Sequence, residues 1–321
     1  MIRITRRGLL AGASAFAITG LDGRRLLAQE NIEILASLPN MAFPFFVHMM
    51  SAIKSEAEKL GGITMVESDG QGSSPKQTAD VETAIVKGVK GIVISPNEVD
   101  AMAPAIAGAI EAGVPVVTVD RRVDKVEGIL AHVGADNVKG GEAQGELVMA
   151  LFPNGAKVMN LQGQPGASPA IDRNQGLHNV LDKAADKYTF VFEQTANFAR
   201  DKGLSVTEAG LAGMAEAPDV IVAANDDMAL GAMEAVKARG LEGKVAIMGF
   251  DALPEALAAV RDGGLTATIE QFPGGQSSQA MQILVDKVRG GKDPANNLVL
   301  LTPVAITKEN LDTAERIGEV K

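Results

Sequence analysis

Asp120, Arg121, Arg173, Asn225, Asp251 and Gln271 are acidic, cationic or amide residues, and each stands at or just beyond the end of an apolar, β-branched run or opens the segment that follows one. Carboxylates accept hydrogen bonds, a guanidinium donates through a rigid fork, and amides do both, so such a set can hold several hydroxyls at once. The aromatic residues are sparse, with ten Phe, one Tyr and no Trp. Three of them, Phe43, Phe45 and Phe46, crowd around Pro44 in "NMAFPFF", and Phe198 and Phe250 lie among the polar candidates. Proline fixes the turn, so these rings can be turned towards a cleft as well as a core. Flat apolar faces with a polar rim suit a carbohydrate, which carries C–H groups on its faces and hydroxyls around its edge. Asp120 and Asp251 are balanced by Arg121 and Arg173. A balanced site favours a neutral ligand, because an added charge would be buried unpaired.

The elements that must position these residues alternate. From residue 31, short β-rich runs at 32–37, 63–68, 91–95 and 114–119 are separated by amphipathic helical stretches at 45–60, 75–87 and 100–112. The first helix shows Phe46, Met49, Met50, Ile53, Ala57 and Leu60 at helical spacing and stops at Gly61-Gly62. The grammar then restarts. Strands at 132–135, 157–161, 189–193, 220–224, 245–250 and 265–270 alternate with helices at 137–151, 172–187, 202–216, 227–239, 254–262 and 274–289. Strands spaced by a helix imply βαβ units and parallel sheets, so the chain is expected to be α/β, with two doubly wound lobes. In open parallel sheets ligands bind beyond the carboxyl ends of the strands, which is where the polar and aromatic candidates fall. Asp226 and Asp227 open a helix and read as its caps, which leaves Asn225 to face the ligand. Phe250 reads either as a ligand-facing ring or as a core ring behind Asp251.

Composition excludes several classes. The net charge of −10 argues against binding a nucleic-acid backbone. The absence of cysteine removes disulfides, thiol catalysis, thiolate metal sites and a lipid-bearing cysteine. His48, His132 and His178 are far apart and form no metal-ligand motif, and there is no GxGxxG, Walker or GxSxG pattern. No cofactor, metal or catalytic residue is expected. At the N-terminus, "TRRGLL" precedes a mildly apolar run from Gly8 to Gly20, which reads as a twin-arginine-type export peptide over residues 1–28. That segment holds five Arg and one Asp, so its removal leaves the rest of the chain four charges more negative. The expected product is a free periplasmic monomer without a lipid anchor.

The motifs "VTVDRR", "LQGQPGASPAIDRNQG", "ANDDMALGAMEAV", "IMGFDALPEAL" and "TATIEQFP" resemble, in order and spacing, the ribose-binding branch of the type I periplasmic sugar-binding proteins of ABC importers. The resemblance runs through residues 31–310. It implies two lobes joined by three crossings near 135–136, 271–272 and 301–302, with residues 29–135 and 272–301 in one lobe and 136–271 and 302–321 in the other. It implies a small neutral sugar or sugar alcohol closed in the cleft by hinge motion, and an ABC permease as partner. Asp120, Arg121, Arg173, Asn225, Asp251 and Gln271 match the family's sugar hydrogen-bonders, and Phe46 and Phe198 its ring-sandwiching aromatics, with Phe45 beside them. Phe43 and Ser95 stand where the family carries asparagines, with Asn97 two residues on and Asn40 a candidate replacement. These departures turn the expected ligand from ribose towards another pentose, a deoxysugar or an open-chain polyol. Three alternatives share the fold: a sugar-responsive repressor, which would need an N-terminal helix-turn-helix; a periplasmic sugar-acting enzyme; and a receptor for a furanose-like signal.

Overall fold

The computed structural model describes residues 31–321. The export-peptide reading of residues 1–28 falls outside the described residues. The first half runs β1 (Ile32–Leu38), α1 (Pro44–Leu60), β2 (Ile63–Asp69), α2 (Ser74–Lys87), β3 (Gly91–Ile94), α3 (Val99–Glu111), β4 (Val116–Val119) and β5 (Ala131–Ala135). The second runs α4 (Asn137–Leu151), β6 (Ala156–Gln162), α5 (Ser168–Leu181), β7 (Tyr188–Thr195), α6 (Arg200–Gly213), β8 (Val220–Ala223), α7 (Asp226–Ala238), β9 (Ala246–Met248), α8 (Pro254–Asp262) and β10 (Thr268–Glu270). The chain closes with α9 (Pro273–Gly290), β11 (Leu298–Leu301), β12 (Val304–Ile306) and two short 3-10 turns.

Two parallel sheets result. The first has the order β11-β5-β4-β3-β1-β2 and the second β7-β6-β8-β9, while β10 and β12 form a separate antiparallel pair. Both sheets reverse direction of winding beside their first strand, between β1 and β3 and between β6 and β8. Such reversals leave a crevice at the strand ends, because the flanking helices diverge to opposite faces. The central strands β3, β4 and β8 are buried along their whole length, as parallel strands covered on both faces must be. Helix α9 returns to pack on α1 and on β3, β4 and β5, although it follows the second sheet in sequence.

Local chemistry sets the helix ends. Pro44 opens α1, a place where its missing N–H costs nothing, and Gly61 at φ 64° ends it. Phe43 is the N-cap of that helix and makes no capping hydrogen bond. The turn before it is pinned: Asp69 Oδ1 accepts from the backbone N–H of Met41 (3.0 Å) and Gln71 (2.9 Å), and Gly72 N–H donates to Pro39 O (2.8 Å). Helix α5 starts at Ser168, four residues before the expected start, because Pro169 takes a first-turn position there. Strands β11 and β12 were not foreseen. β11 pairs with β5 in parallel, a contact between segments more than 160 residues apart.

Candidate functional site

Strand ends and helix starts from both sheets converge on a cavity with about 330 Å³ of unfilled space. Its walls are Phe43, Phe45, Phe46, Asp120, Arg121, Pro169, Arg173, Phe198, Asn225, Asp251 and Gln271. All nine principal candidates from the sequence, with Phe43, therefore border one space. Pro169 was not among the candidates; the Ser-Pro pair that opens α5 was its only signal. Asn40, Ser95, Asn97 and Phe250 do not border the cavity. Asn40 Oδ1 accepts from Ala42 N–H (3.0 Å), which is a turn bond. Ser95 is buried and donates to Asp120 Oδ2 (3.1 Å), so it orients a wall residue. Asn97 is buried, its amide donating to Ser74 (3.0 Å) and its carbonyl accepting from Arg121 Nη1 (2.7 Å). Phe250 is fully buried, and the guanidinium carbon of Arg173 lies 3.5 Å from its ring centroid.

The aromatic wall is an edge-packed cluster. Phe45 and Phe46 stand 5.2 Å apart at 79°, and Phe43 and Phe46 6.5 Å apart at 61°. Arg121 lies over Phe46 (5.3 Å) and Phe198 (5.6 Å), which come from different sheets' elements. A cation over an aromatic face is attracted by the ring quadrupole, and the stacking also fixes the plane of the fork.

The polar wall is held from behind. Arg173 donates from Nε to Asn137 Oδ1 (2.8 Å) and from Nη1 to the Ala224 carbonyl (2.6 Å), and it faces Asp251 at 3.5 Å. Gln271 donates to Asp251 Oδ1 at 2.5 Å. Arg121 Nη1 also reaches Gln164 Oε1 (3.3 Å). Among the described residues, no hydrogen bond engages Asp120 Oδ1, Asp251 Oδ2, Arg121 Nη2 or Arg173 Nη2. Their hydrogen-bonding capacity is not used by the protein. Asp120 and Arg121 are each 3% exposed, so they are not a solvated surface ion pair.

One assignment is corrected. Asn225, not Asp226 or Asp227, caps α7: its Oδ1 accepts from Met228 N–H (3.0 Å), while its Nδ2 donates to Phe198 O (3.1 Å). Asn225 thus borders the cavity with both ends of its amide occupied. Asp226 is buried below it, accepting from Thr268 (2.7 Å) and from Leu253 N–H (2.8 Å). Asp227 binds Arg200 (3.1 Å).

Burial perturbs the charges. Desolvation pushes the Asp251 carboxyl up to about 7, with Arg173 opposing the shift. Asp120 is raised for the same reason against Arg121 and Arg173, and desolvation lowers Arg121 to about 10. Asp226 is raised by burial and by the nearby Asp251 charge. Three wall residues also hold a backbone conformation that favours glycine: Asp120 (φ 60°), Phe198 (φ 61°) and Asp251 (φ 111°). Among the described residues no cluster of His, Cys, Asp and Glu is arranged to hold a metal ion.

A second set of contacts joins the elements of the two sheets beside the cavity. Arg122 forms a two-pronged ion pair with Asp172, and its backbone N–H donates to Ser168 Oγ (3.0 Å). Val99 N–H donates to Gly166 O (2.9 Å).

Residues 34–293 match the periplasmic binding protein domain family. The ribose import binding protein of Bacillus subtilis is 40% identical over 249 residues, covering 76% of this chain and 78% of that protein. The Caulobacter myo-inositol binding protein, solved with myo-inositol bound, is 42% identical and superposes with a TM-score of 0.87 over 91% of this chain and 98% of its own. An ABC transporter solute binding protein of Bacillus halodurans, also solved with myo-inositol, is 29% identical with a TM-score of 0.83, over 88% and 97% of the two chains.

Proposed function

This chain belongs to the periplasmic binding protein domain family, and on that premise we propose that its cavity takes a cyclic polyol of the inositol type. The chain is a solute-binding protein of the sugar ABC transporter class, whose members deliver ligand to a permease and are not enzymes. The observation that carries the ligand reading is the distribution of polar groups. Six hydrogen-bonding side chains, with two carboxylates against two guanidinium groups, border one cavity of about 330 Å³. The charge balance favours a neutral ligand. A ring with a hydroxyl on every carbon presents partners to the unengaged atoms of Asp120, Arg121, Arg173 and Asp251, while Phe46 and Phe198 offer apolar faces. Two structurally similar proteins were solved with myo-inositol bound, which supports the same reading. A ring pentose is the second reading, favoured by the similarity to ribose import binding proteins.

The three linking segments are proposed as hinges. β5 ends at Ala135 and β11 at Leu301, both in the first sheet, and Asp136 N–H donates to Leu301 O (2.9 Å), so two links run side by side. The third, at Gln271–Phe272, leads into α9. Residues 29–135 with 272–301, and 136–271 with 302–321, would then move as two bodies around the ligand. Contacts from both bodies favour the closed arrangement. The protein is proposed to act as a monomer, exported through its twin-arginine peptide and not lipid-anchored. Replacing Arg6 and Arg7 by Lys should stop its appearance in the periplasm, and continued export would refute that signal type.

Calorimetric titration with myo-inositol, D-ribose, D-allose and xylitol tests the ligand reading. Tightest binding of myo-inositol is expected. A preference for D-ribose by tenfold or more would replace the proposal with the pentose reading.

A further inference from the structure

Phe43 stands between two spaces. It borders the cavity, and it also borders a neighbouring recess formed by Ala42, Pro44, Ala199, Arg200, Asp227 and Glu255 among others. Among the described residues it is the one that lines both. Its ring is half-buried and rests edge-on against Phe46, which fixes its inner side. Its backbone is fixed by the turn that Asp69 pins. Phe43 also occupies the N-cap of α1, a position where Ser, Thr, Asn or Asp would supply an acceptor for the first N–H groups. The helix therefore forgoes a local stabilisation to place an aromatic ring there. Sequences break a local rule of this kind chiefly where function requires it.

We propose that Phe43 is the specificity-determining partition that limits the ligand to one unsubstituted ring. A ligand carrying one more group at the edge nearest Phe43 would have to pass through the ring into the neighbouring recess. The recess beyond mixes apolar residues with charged ones, Arg200 being paired to Asp227 and Glu255, so it offers a polar group both room and partners once the wall is gone. The inference rests on the reading of the cavity as the polyol site.

The test compares wild-type protein with Phe43→Ala and Phe43→Ser by calorimetric titration. The probes are myo-inositol and its mono-O-methyl ethers, one for each distinct ring position. The wild type is expected to bind myo-inositol and to reject every ether by a hundredfold or more. In both variants at least one ether, the one directed at position 43, is expected to bind within about tenfold of myo-inositol. General loosening of the cleft would weaken parent and ether alike, so the ratio between them is the measurement that separates a partition from a packing residue. The serine variant supplies a capping hydroxyl and serves if the alanine variant does not fold. An ether-to-parent ratio within threefold of wild type for every ether in the folded variants, or acceptance of all ethers by the wild type, would overturn the proposal. Should myo-inositol not bind the wild type, the polyol reading falls. The partition is then tested in the same way with D-ribose or D-allose and their methyl glycosides.

Discussion

Arg122 and Asp172 form a two-pronged ion pair that ties the turn after β4 to the first turns of α5, one residue away from the cavity residue on each element. The pair touches no wall of the cavity, yet it joins elements of the two sheets. Its guanidinium is one-third exposed and its carboxylate 13% exposed, so the interaction is worth about 1 kcal/mol and not more.

Arg122→Ala or Asp172→Ala should therefore raise the dissociation constant by about fivefold, chiefly through faster release. The order of preference among ligands should not change. The exchange of charges in the double variant Arg122→Asp with Asp172→Arg should recover part of the loss. Stopped-flow release rates check this, and unchanged rates in both single variants would show that the pair plays no part in holding the cleft closed.

Asp120 and Arg173 should fail differently. Asp120→Ala removes a carboxylate that burial already disfavours but leaves the buried Arg121 guanidinium without its neighbour, so binding should fall a hundredfold or more with a moderate loss of folded stability. Arg173→Ala removes the guanidinium facing Asp251 and leaves that carboxylate buried without it, beside the equally buried Asp226. Removing one partner from such a group costs about 3–5 kcal/mol. Arg173 also holds Asn137 and the Ala224 carbonyl, so thermal unfolding of the two variants side by side should show the larger drop for Arg173→Ala.

Asp251, held near 7 by burial, makes binding depend on pH. Ligand hydroxyls donate to the ionised carboxylate, so affinity should fall as pH drops below about 7, at most tenfold per unit. Titration near pH 7 in buffers of different ionisation heat should show protons released on binding. The ligand-free protein should behave in the opposite sense. The native carboxyl keeps its proton above the ordinary value of 3.8, so this group's stabilising contribution is complete below about pH 4 and disappears as pH rises to about 7. A flat affinity profile between pH 6 and 8 would show that Asp251 does not meet the ligand as a carboxylate.

Gly163 supports Phe198. A Cβ at position 163 would lie 2.2 Å from Phe198 Cζ, well inside contact distance, so the ring would have to move. Overpacking of this kind costs about 1–3 kcal/mol. Gly163→Ala should weaken ligand binding by tenfold or more while the circular dichroism spectrum stays unchanged. Wild-type affinity in this variant would mean that Phe198 forms no wall against the ligand.

The order of strands and helices up to residue 290, and the residues that gather at the strand ends, were legible because both depend on local signals. Period 3.6 in α1, Gly at its end and β-branched runs before Asp120 and Asn225 are written in short windows. What was missed depends on distant partners. The run that forms β11 is apolar, but its register is set by β5, far away in sequence, and its alternating exposure is that of an edge strand. The choice between Asn225 and the two following aspartates as cap was decided by Leu253 and Thr268, which claim Asp226 for the interior. Ser95, Asn97 and Phe250 have the residue types of a ligand site, yet they stand one layer behind it, and residue type does not encode depth.

The left-handed backbone at Asp120, Phe198 and Asp251 sets stability against recognition. Each such residue costs about 1–3 kcal/mol, a penalty met when the chain folds and not when the ligand arrives. The side chains are thus already aimed, and little conformational entropy is left for the ligand to remove. Selection for heat resistance without a binding assay would press towards glycine at Asp120 and Asp251, while at Phe198 the buried ring, worth about 3–5 kcal/mol, outweighs the strain. It would recover a more robust protein with a slack, indifferent cleft.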